Sequence, residues 1–408
     1  MGYTGINLEN VKLSNRSAIL KLLNDQGAMP RKDIAVHLGL TPATVTMICT
    51  ELLSAGILCE KGEVEEEKRA GRRKVLVDIN YRYRYVLSIS IEGNGTCVSI
   101  CDLKGNHLGI KTLHTDVTLA PGEFLKKVSD ESKALMWESG IGKDMVLGAG
   151  VSIPGPVSRR EGISRHAYRI WNEPVPVGEI LRKLLDVPVI VENNVKAFAE
   201  GELIYGEGKL VKNMLLVKWG PGVGSAIIIQ NRIYDSQSSK TAEIGHCLVE
   251  KNGKLCSCGR RGCLETMVSS HAIAEQVREA CTKERMPLLY DSIGGDLSRI
   301  QVRNIGSWMS FDDPGLERLI GEIMEYLLRI VVNSITLLAP ERVVLYGYLF
   351  ELPGIRERFV RSCAAYDPAY DGRLIIGSKL SGRQEYIGGL AVVMNELFLM
   401  SGYAENTQ

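Results

Sequence analysis

His246, Cys256, Cys258 and Cys263 bring one imidazole and three thiols into a run of eighteen residues. Three thiolates and one neutral imidazole complete the four-coordinate shell that zinc prefers. They leave no open position for water, which is the pattern of a structural rather than a catalytic ion. A Cys-x-Cys pair followed by a third cysteine needs sharp backbone turns, and Gly259 and Gly262 accept them. Two other readings of these residues are free cysteines in an ordinary loop and a disulfide. The disulfide fits poorly with a chain that otherwise reads as cytoplasmic, where thiols stay reduced.

The elements that must position this cluster belong to a chain of 408 residues, long enough for two or three domains. Hydrophobic residues make up 45% and charged residues 24%, as in ordinary globular proteins, and the net charge of +1 selects no class of partner. Ten cysteines without a charged-then-apolar leader over residues 1–15 point to a reducing compartment, the cytoplasm. The apolar stretch 327–349 is broken by Arg329, Glu341 and Arg342, so a membrane span is not expected. Met1-Gly2 does not read as a myristoylation signal, because Ile6 stands where serine or threonine is needed.

Residues 15–80 read as three helices and a basic hairpin. Ile19, Leu22 and Leu23 mark the first helix, ended by Gly27; Ile34, Ala35 and Leu38 mark the second, opened by Pro30 and stopped by Gly39. Thr41 is a good N-cap and Pro42 suits the first helical position, so a third helix is expected over 42–55. Its apolar stripe is Val45, Ile48, Leu52 and Leu53. That leaves Thr41, Ala43, Thr44, Thr46 and Met47 to face outward, where a recognition helix presents short polar and methyl-bearing side chains to base edges. The hairpin tip, 68–74, carries five cations among seven residues. Arg69, Arg72 and Arg73 are placed to meet phosphates or a minor groove, with Gly71 letting the loop turn. Residues 1–80 hold eleven Lys plus Arg against ten Asp plus Glu, so the DNA reading rests on the order of elements rather than bulk charge. The other reading is a three-helix scaffold for protein contacts with a solvated charge run.

From residue 85 onward, strands are expected at 86–91, 97–103, 145–153, 187–191, 214–218, 224–229 and 342–347. Helices fall among them, as at 124–137 and 195–205. That alternation implies an α/β domain with a mostly parallel sheet, and the length suggests two lobes. The polar stretch 283–303 reads as a surface insertion.

The order of a winged helix-turn-helix, Val-Ser-Ile-Pro-Gly-Pro-Val at 151–157, Val-Glu-Asn-Asn at 191–194, Gly-Pro-Gly-Val-Gly at 220–224, Glu-Ile-Gly-His at 243–246 and the cysteine run at 256–265 resembles the ROK family of repressors and sugar kinases. The similarity is narrowest to its xylose-repressor and N-acetylglucosamine-repressor branch. It implies an N-terminal winged helix-turn-helix followed by an actin-like α/β fold, two ribonuclease-H-like lobes with a sugar in the cleft. The implied boundaries are 1–80 for the DNA-binding head, 81–194 plus 385–408 for the first lobe, and 195–384 for a second lobe carrying the zinc knuckle and an oligomer interface. Carried over residue by residue, the sugar is held by Asn193, Glu243, His246 and Glu265. Such groups can bond adjacent hydroxyls in pairs. Glu243 and Glu265 flank zinc ligands, so the metal would brace them, although both could instead merely orient those ligands.

Phosphoryl transfer to a hydroxyl needs a base and a loop that cradles phosphates. The family's catalytic members place an aspartate where this chain has Asn194, whose amide can bond a sugar but cannot take its proton. Ser90, Glu92, Pro221 and Tyr348 depart from the family's phosphate and nucleotide segments as well. The expectation is therefore no enzyme. The chain reads as a regulator, a repressor of carbohydrate-metabolism genes, that senses a sugar or sugar phosphate and binds a pseudo-palindromic operator as a homodimer or homotetramer. Ligand would act by changing lobe closure. A sugar kinase retaining a DNA-binding head is the alternative, and a regulator answering to a partner protein is a third reading.

Overall fold

The computed structural model describes residues 8–63, 75–93, 95–235 and 241–403. Its N-terminal elements are α1 (Leu8–Gln26), β1 (Met29–Pro30), α2 (Arg31–Leu38), α3 (Pro42–Ser54), β2 (Leu58–Glu63) and β3 (Val75–Ile79). The small sheet runs β1-β3-β2, antiparallel throughout, which is the wing of a winged helix-turn-helix. Local chemistry sets the helix boundaries. Gly39 takes φ 64° at the end of α2, and Thr41 Oγ1 accepts the Thr44 N–H at 3.2 Å to start α3. The head's core contains Ile19, Leu20, Leu23, Ile34, Val45, Ile48, Cys49 and Leu52. Leu20 and Cys49 thus stand in the core where Leu22 and Leu53 were expected; both of those are half-buried.

The sheet that follows contains β4 (Tyr85–Glu92), β5 (Gly95–Asp102), β6 (His107–Leu113), β7 (Val146–Ile153) and β10 (Val189–Asn193), in the order β10-β7-β4-β5-β6. A short hairpin, β8 (Val157–Ser158) with β9 (Ile163–Ser164), stands beside it, and the helices are α4 (Pro121–Glu138), α5 (Val177–Leu185) and α6 (Asn194–Tyr205). The chain returns to this unit through α13 (Ile387–Val393) and a π-helix at Met394–Met400. Gly389 and Gly150 allow α13 to lie directly on the sheet, since a side chain at Gly150 would drive into the Gly389 carbonyl.

The second unit, Gly206–Gln384, contains β11 (Met214–Trp219), β12 (Val223–Ile229), β13 (Arg232–Ile233), β14 (Arg342–Tyr346) and β15 (Ile375–Gly377), ordered β13-β12-β11-β14-β15. Each large sheet is therefore a three-strand antiparallel meander whose first strand pairs in parallel with the fourth, and the fourth with the fifth. This is the ribonuclease-H-like order, used twice. The second unit's helices are α7 (Glu265–Val268), α8 (Ser270–Ala280), α9 (Pro287–Ser292), α10 (Ile305–Trp308), α11 (Pro314–Leu338) and α12 (Ile355–Tyr366).

One boundary and one surface assignment differ from the sequence reading. The first unit extends through Tyr205, so α6 stays with the sheet that leads into it instead of opening the second lobe at residue 195. The stretch 283–303 is not a simple surface insertion: Met286, Leu289, Ile293 and Ile300 enter the second unit's core. The fully buried Asp313 ties this stretch down. One carboxylate oxygen accepts from the N–H groups of Leu288 and Leu289, and the other caps α11 through Gly315 and Leu316.

Candidate functional site

The cysteine run folds as a knuckle stapled by backbone bonds. Cys256 N–H donates to the Arg260 carbonyl at 2.7 Å, Gly259 N–H to Cys256 at 2.9 Å, and Val249 N–H to Gly262 at 2.9 Å. Gly262 has φ 74°, and a side chain there would collide with the Glu250 carbonyl, so no other residue fits. His246 closes a 3₁₀ turn, Ile244–His246, and is buried. The ligand atoms of His246, Cys256, Cys258 and Cys263 lie within 4.8 Å of one another.

The spacing inside this group fits a tetrahedral ion. Around zinc, two thiolates stand about 3.8 Å apart and a thiolate about 3.6 Å from an imidazole nitrogen. Cys258 Sγ lies 3.7 Å from Cys263 Sγ, and Cys256 Sγ lies 3.6 Å from His246 Nδ1. A disulfide would need roughly 2 Å, so that reading is excluded for this pair. Burial raises the Cys256 thiol and pushes Cys263 up to about 12. Burial is the largest single influence on Cys258 and works to raise it, but hydrogen bonds from the Arg260 side chain, at 3.5 Å, and backbone and from the neighbouring thiols together outweigh it and hold this thiol below the usual cysteine range. A divalent cation would reverse the penalty on all three. Arg260 was missed from the sequence, although its place two residues after Cys258 was the available signal.

The carboxylates flanking the knuckle are tied to it. His246 turns Nδ1 toward the thiols, and its Nε2 lies 3.8 Å from Glu243 Oε2. Glu265, two residues after Cys263, accepts the Val223 N–H at 3.1 Å on Oε2 and lies against Gly222. This carboxylate therefore links the knuckle to the glycine-rich loop 220–224. Tyr348 packs its ring against Gly220 in the same unit, covering part of that loop.

In the first unit, Asn193 and Asn194 join β10 to α6. Asn193 Oδ1 accepts the N–H groups of Val195 and Lys196, at 2.9 and 3.2 Å, and Nδ2 donates to the Gly155 carbonyl at 2.9 Å. This amide is both helix cap and tether to the Pro-Gly-Pro turn, which leaves one further N–H to offer a ligand. Asn194 Nδ2 donates to Glu92 Oε1 at 2.7 Å. The pairing was not expected: a carboxylate does stand at the end of β4, with an amide holding it.

On the head, Thr41, Ala43, Thr46 and Met47 are exposed on α3, and Thr44 is half-buried. Thr46 Oγ1 donates to the Pro42 carbonyl at 2.7 Å, and the Thr41 and Thr44 hydroxyls are hydrogen-bonded to each other at 2.9 Å. Met47 is half exposed and, with Ala43, offers the apolar part of this face. Arg69, Gly71, Arg72 and Arg73 lie outside the described residues.

Comparison with known proteins agrees with this partition. The ROK family model matches residues 89–378, and a winged helix-turn-helix DNA-binding model matches residues 13–58. The xylose repressor of Caldicellulosiruptor bescii is 24% identical, over 97% of this chain and 98% of its own length. A solved ROK family transcriptional regulator, a homologue of the Escherichia coli Mlc protein, superposes with a TM-score of 0.76 at 23% identity, covering 96% of this chain and 98% of its own. A ROK family glucokinase from Streptomyces griseus, solved with glucose and AMPPNP, gives 0.65 at 20% identity, covering 76% of this chain and 98% of its own. The α/β part thus has the actin-like sugar-kinase fold. Among the described residues no helix is long and apolar enough to cross a membrane.

Proposed function

As the chain belongs to the ROK family, we propose that it is a DNA-binding transcriptional regulator, a repressor of carbohydrate-metabolism genes, which binds a sugar effector and transfers no phosphate. The observation that carries the non-catalytic half is Asn194, whose amide donates to Glu92 where a kinase would hold its base. An amide cannot accept the hydroxyl proton. The regulatory half is supported by the winged head in the same chain and by the likeness to a xylose repressor over nearly its full length. A sugar as ligand is supported by the glucose bound in the glucokinase of the same fold.

In this reading Asn193, Asn194, Glu243, His246 and Glu265 bond the sugar hydroxyls. Zinc, held by His246, Cys256, Cys258 and Cys263, fixes the last three side chains, with His246 Nε2 turned toward Glu243. Thr41, Ala43, Thr44, Thr46 and Met47 read base edges, while Arg69, Gly71, Arg72 and Arg73 follow the backbone. Two heads of a cytoplasmic homodimer or homotetramer meet a pseudo-palindromic operator. Calorimetry with D-xylose, D-glucose and N-acetylglucosamine, followed by incubation with magnesium ATP, tests this: one sugar binds and no ATP is consumed. Sugar-dependent ATP turnover would establish the kinase instead.

A further inference from the structure

A cluster of charge in the first unit has no part in the site so far described. Arg159, just past β8, donates through Nη1 to Glu192 Oε2 at 3.1 Å and to Glu200 Oε1. Its Nε and Nη2 donate to Glu396 Oε2 at 3.1 and 3.0 Å. The side chains of Glu192 and Glu200 are only 7% and 4% exposed, so this is the interior end of the cluster, whereas Glu396 is 51% exposed. Asn395 Nδ2 adds a bond of 3.3 Å to Glu200.

These partners sit on segments with different duties. Glu192 precedes Asn193 and accepts its backbone N–H at 2.7 Å, and Glu200 lies on α6, which Asn193 caps. Glu396 lies on the π-helix Met394–Met400, against which α1 of the DNA-binding head packs. Lys21 Nζ lies 2.8 Å from Met400 Sδ, and Tyr403 meets Tyr83 edge-on at 5.4 Å. A second link runs from the far end of α6, where the buried Asn24 of α1 donates to the Ile204 carbonyl at 3.1 Å.

We infer that Arg159 is a positioning residue that couples the effector-binding segment Asn193–Asn194 to the DNA-binding head through Glu396 and the π-helix. The inference rests on the sugar-effector reading above. The link is geometric: one N–H of Asn193 Nδ2 is bonded to the Gly155 carbonyl, so a sugar that bonds the other N–H and shifts this amide moves the turn whose next residues carry Arg159. A π-helix holds an extra residue per turn and is commonly placed at functional positions, which suits it to shift as a two-state element.

Glu396→Gln tests the coupling without disturbing the buried carboxylates, and Arg159→Lys keeps the cation while losing the fork. The full chain is titrated with D-xylose, D-glucose and N-acetylglucosamine by calorimetry, and hydrogen–deuterium exchange over residues 8–26 is followed with each sugar at saturation. In the wild type a bound sugar changes exchange in α1. In Glu396→Gln the sugar affinity stays within about twofold, while the sugar-dependent change falls at least about fivefold, the loss of a typical coupling. Arg159→Lys loses the same response. A wild type that binds sugar with no change in α1, or a Glu396→Gln variant with the full change, overturns the inference alone. Failure of all three sugars to bind overturns the effector reading and this inference with it.

Discussion

The two α/β units use one strand order yet hold their acidic side chains by opposite means. In the first, Glu192 and Glu200 are buried and share a guanidinium brought from a distant turn; in the second, Glu243 and Glu265 flank a knuckle whose four donors come from one short run. A repeated topology therefore does not repeat its electrostatics. The first solution depends on the whole tertiary structure, and the second on a local fold that a metal can close.

The largest effect that would break this contrast is expected at Arg159. Arg159→Met leaves two buried carboxylates without their cation and should cost about 3–5 kcal/mol in urea unfolding, a range typical of severed buried pairs; a loss below about 1 kcal/mol would place the cluster among surface pairs. The proposed zinc site gives the next effect: native mass spectrometry should find stoichiometric zinc on the wild type and its loss in Cys258→Ser. Unchanged metal content would contradict the tetrahedral assignment. A smaller effect on ligand is expected for Glu243→Ala, with sugar affinity falling at least about tenfold, as when a site loses a group built for hydroxyls; equal affinity would exclude Glu243 from the contact.

A pH dependence sharpens the same comparison. Burial lifts Glu192 and Glu200 above the ordinary glutamate value of 4.5, although Arg159 pulls both down. The folded chain then binds more protons than the unfolded one. This contribution is complete below pH 4.5 and is lost as pH rises through the raised folded values. Glu200→Gln should flatten that descent in urea midpoints measured against pH, and an unchanged slope would show that Glu200 does not titrate there.

How much was legible follows the same division. The knuckle could be read because its ligands lie within eighteen residues and thiol chemistry allows few other uses. The helices of the head were legible from Gly39, Thr41 and Pro42, whose capping roles are local. Arg159 was not, because Glu192, Glu200 and Glu396 stand 33, 41 and 237 residues away, with no periodicity to link them. The 283–303 stretch misled for a related reason: its polar composition hides four core side chains fastened by one buried aspartate. The Glu92–Asn194 bond was equally hidden, since a departure from a kinase pattern shows what is missing and not what replaces it.

The most direct test of the account is operator affinity with and without sugar. DNA duplexes enriched on the full-length protein from a random pool are titrated by fluorescence anisotropy, alone and with saturating D-xylose, D-glucose or N-acetylglucosamine. The account predicts that one sugar changes the affinity at least about fivefold, within the usual range of allosteric coupling. Tight DNA binding that none of the sugars alters would contradict it.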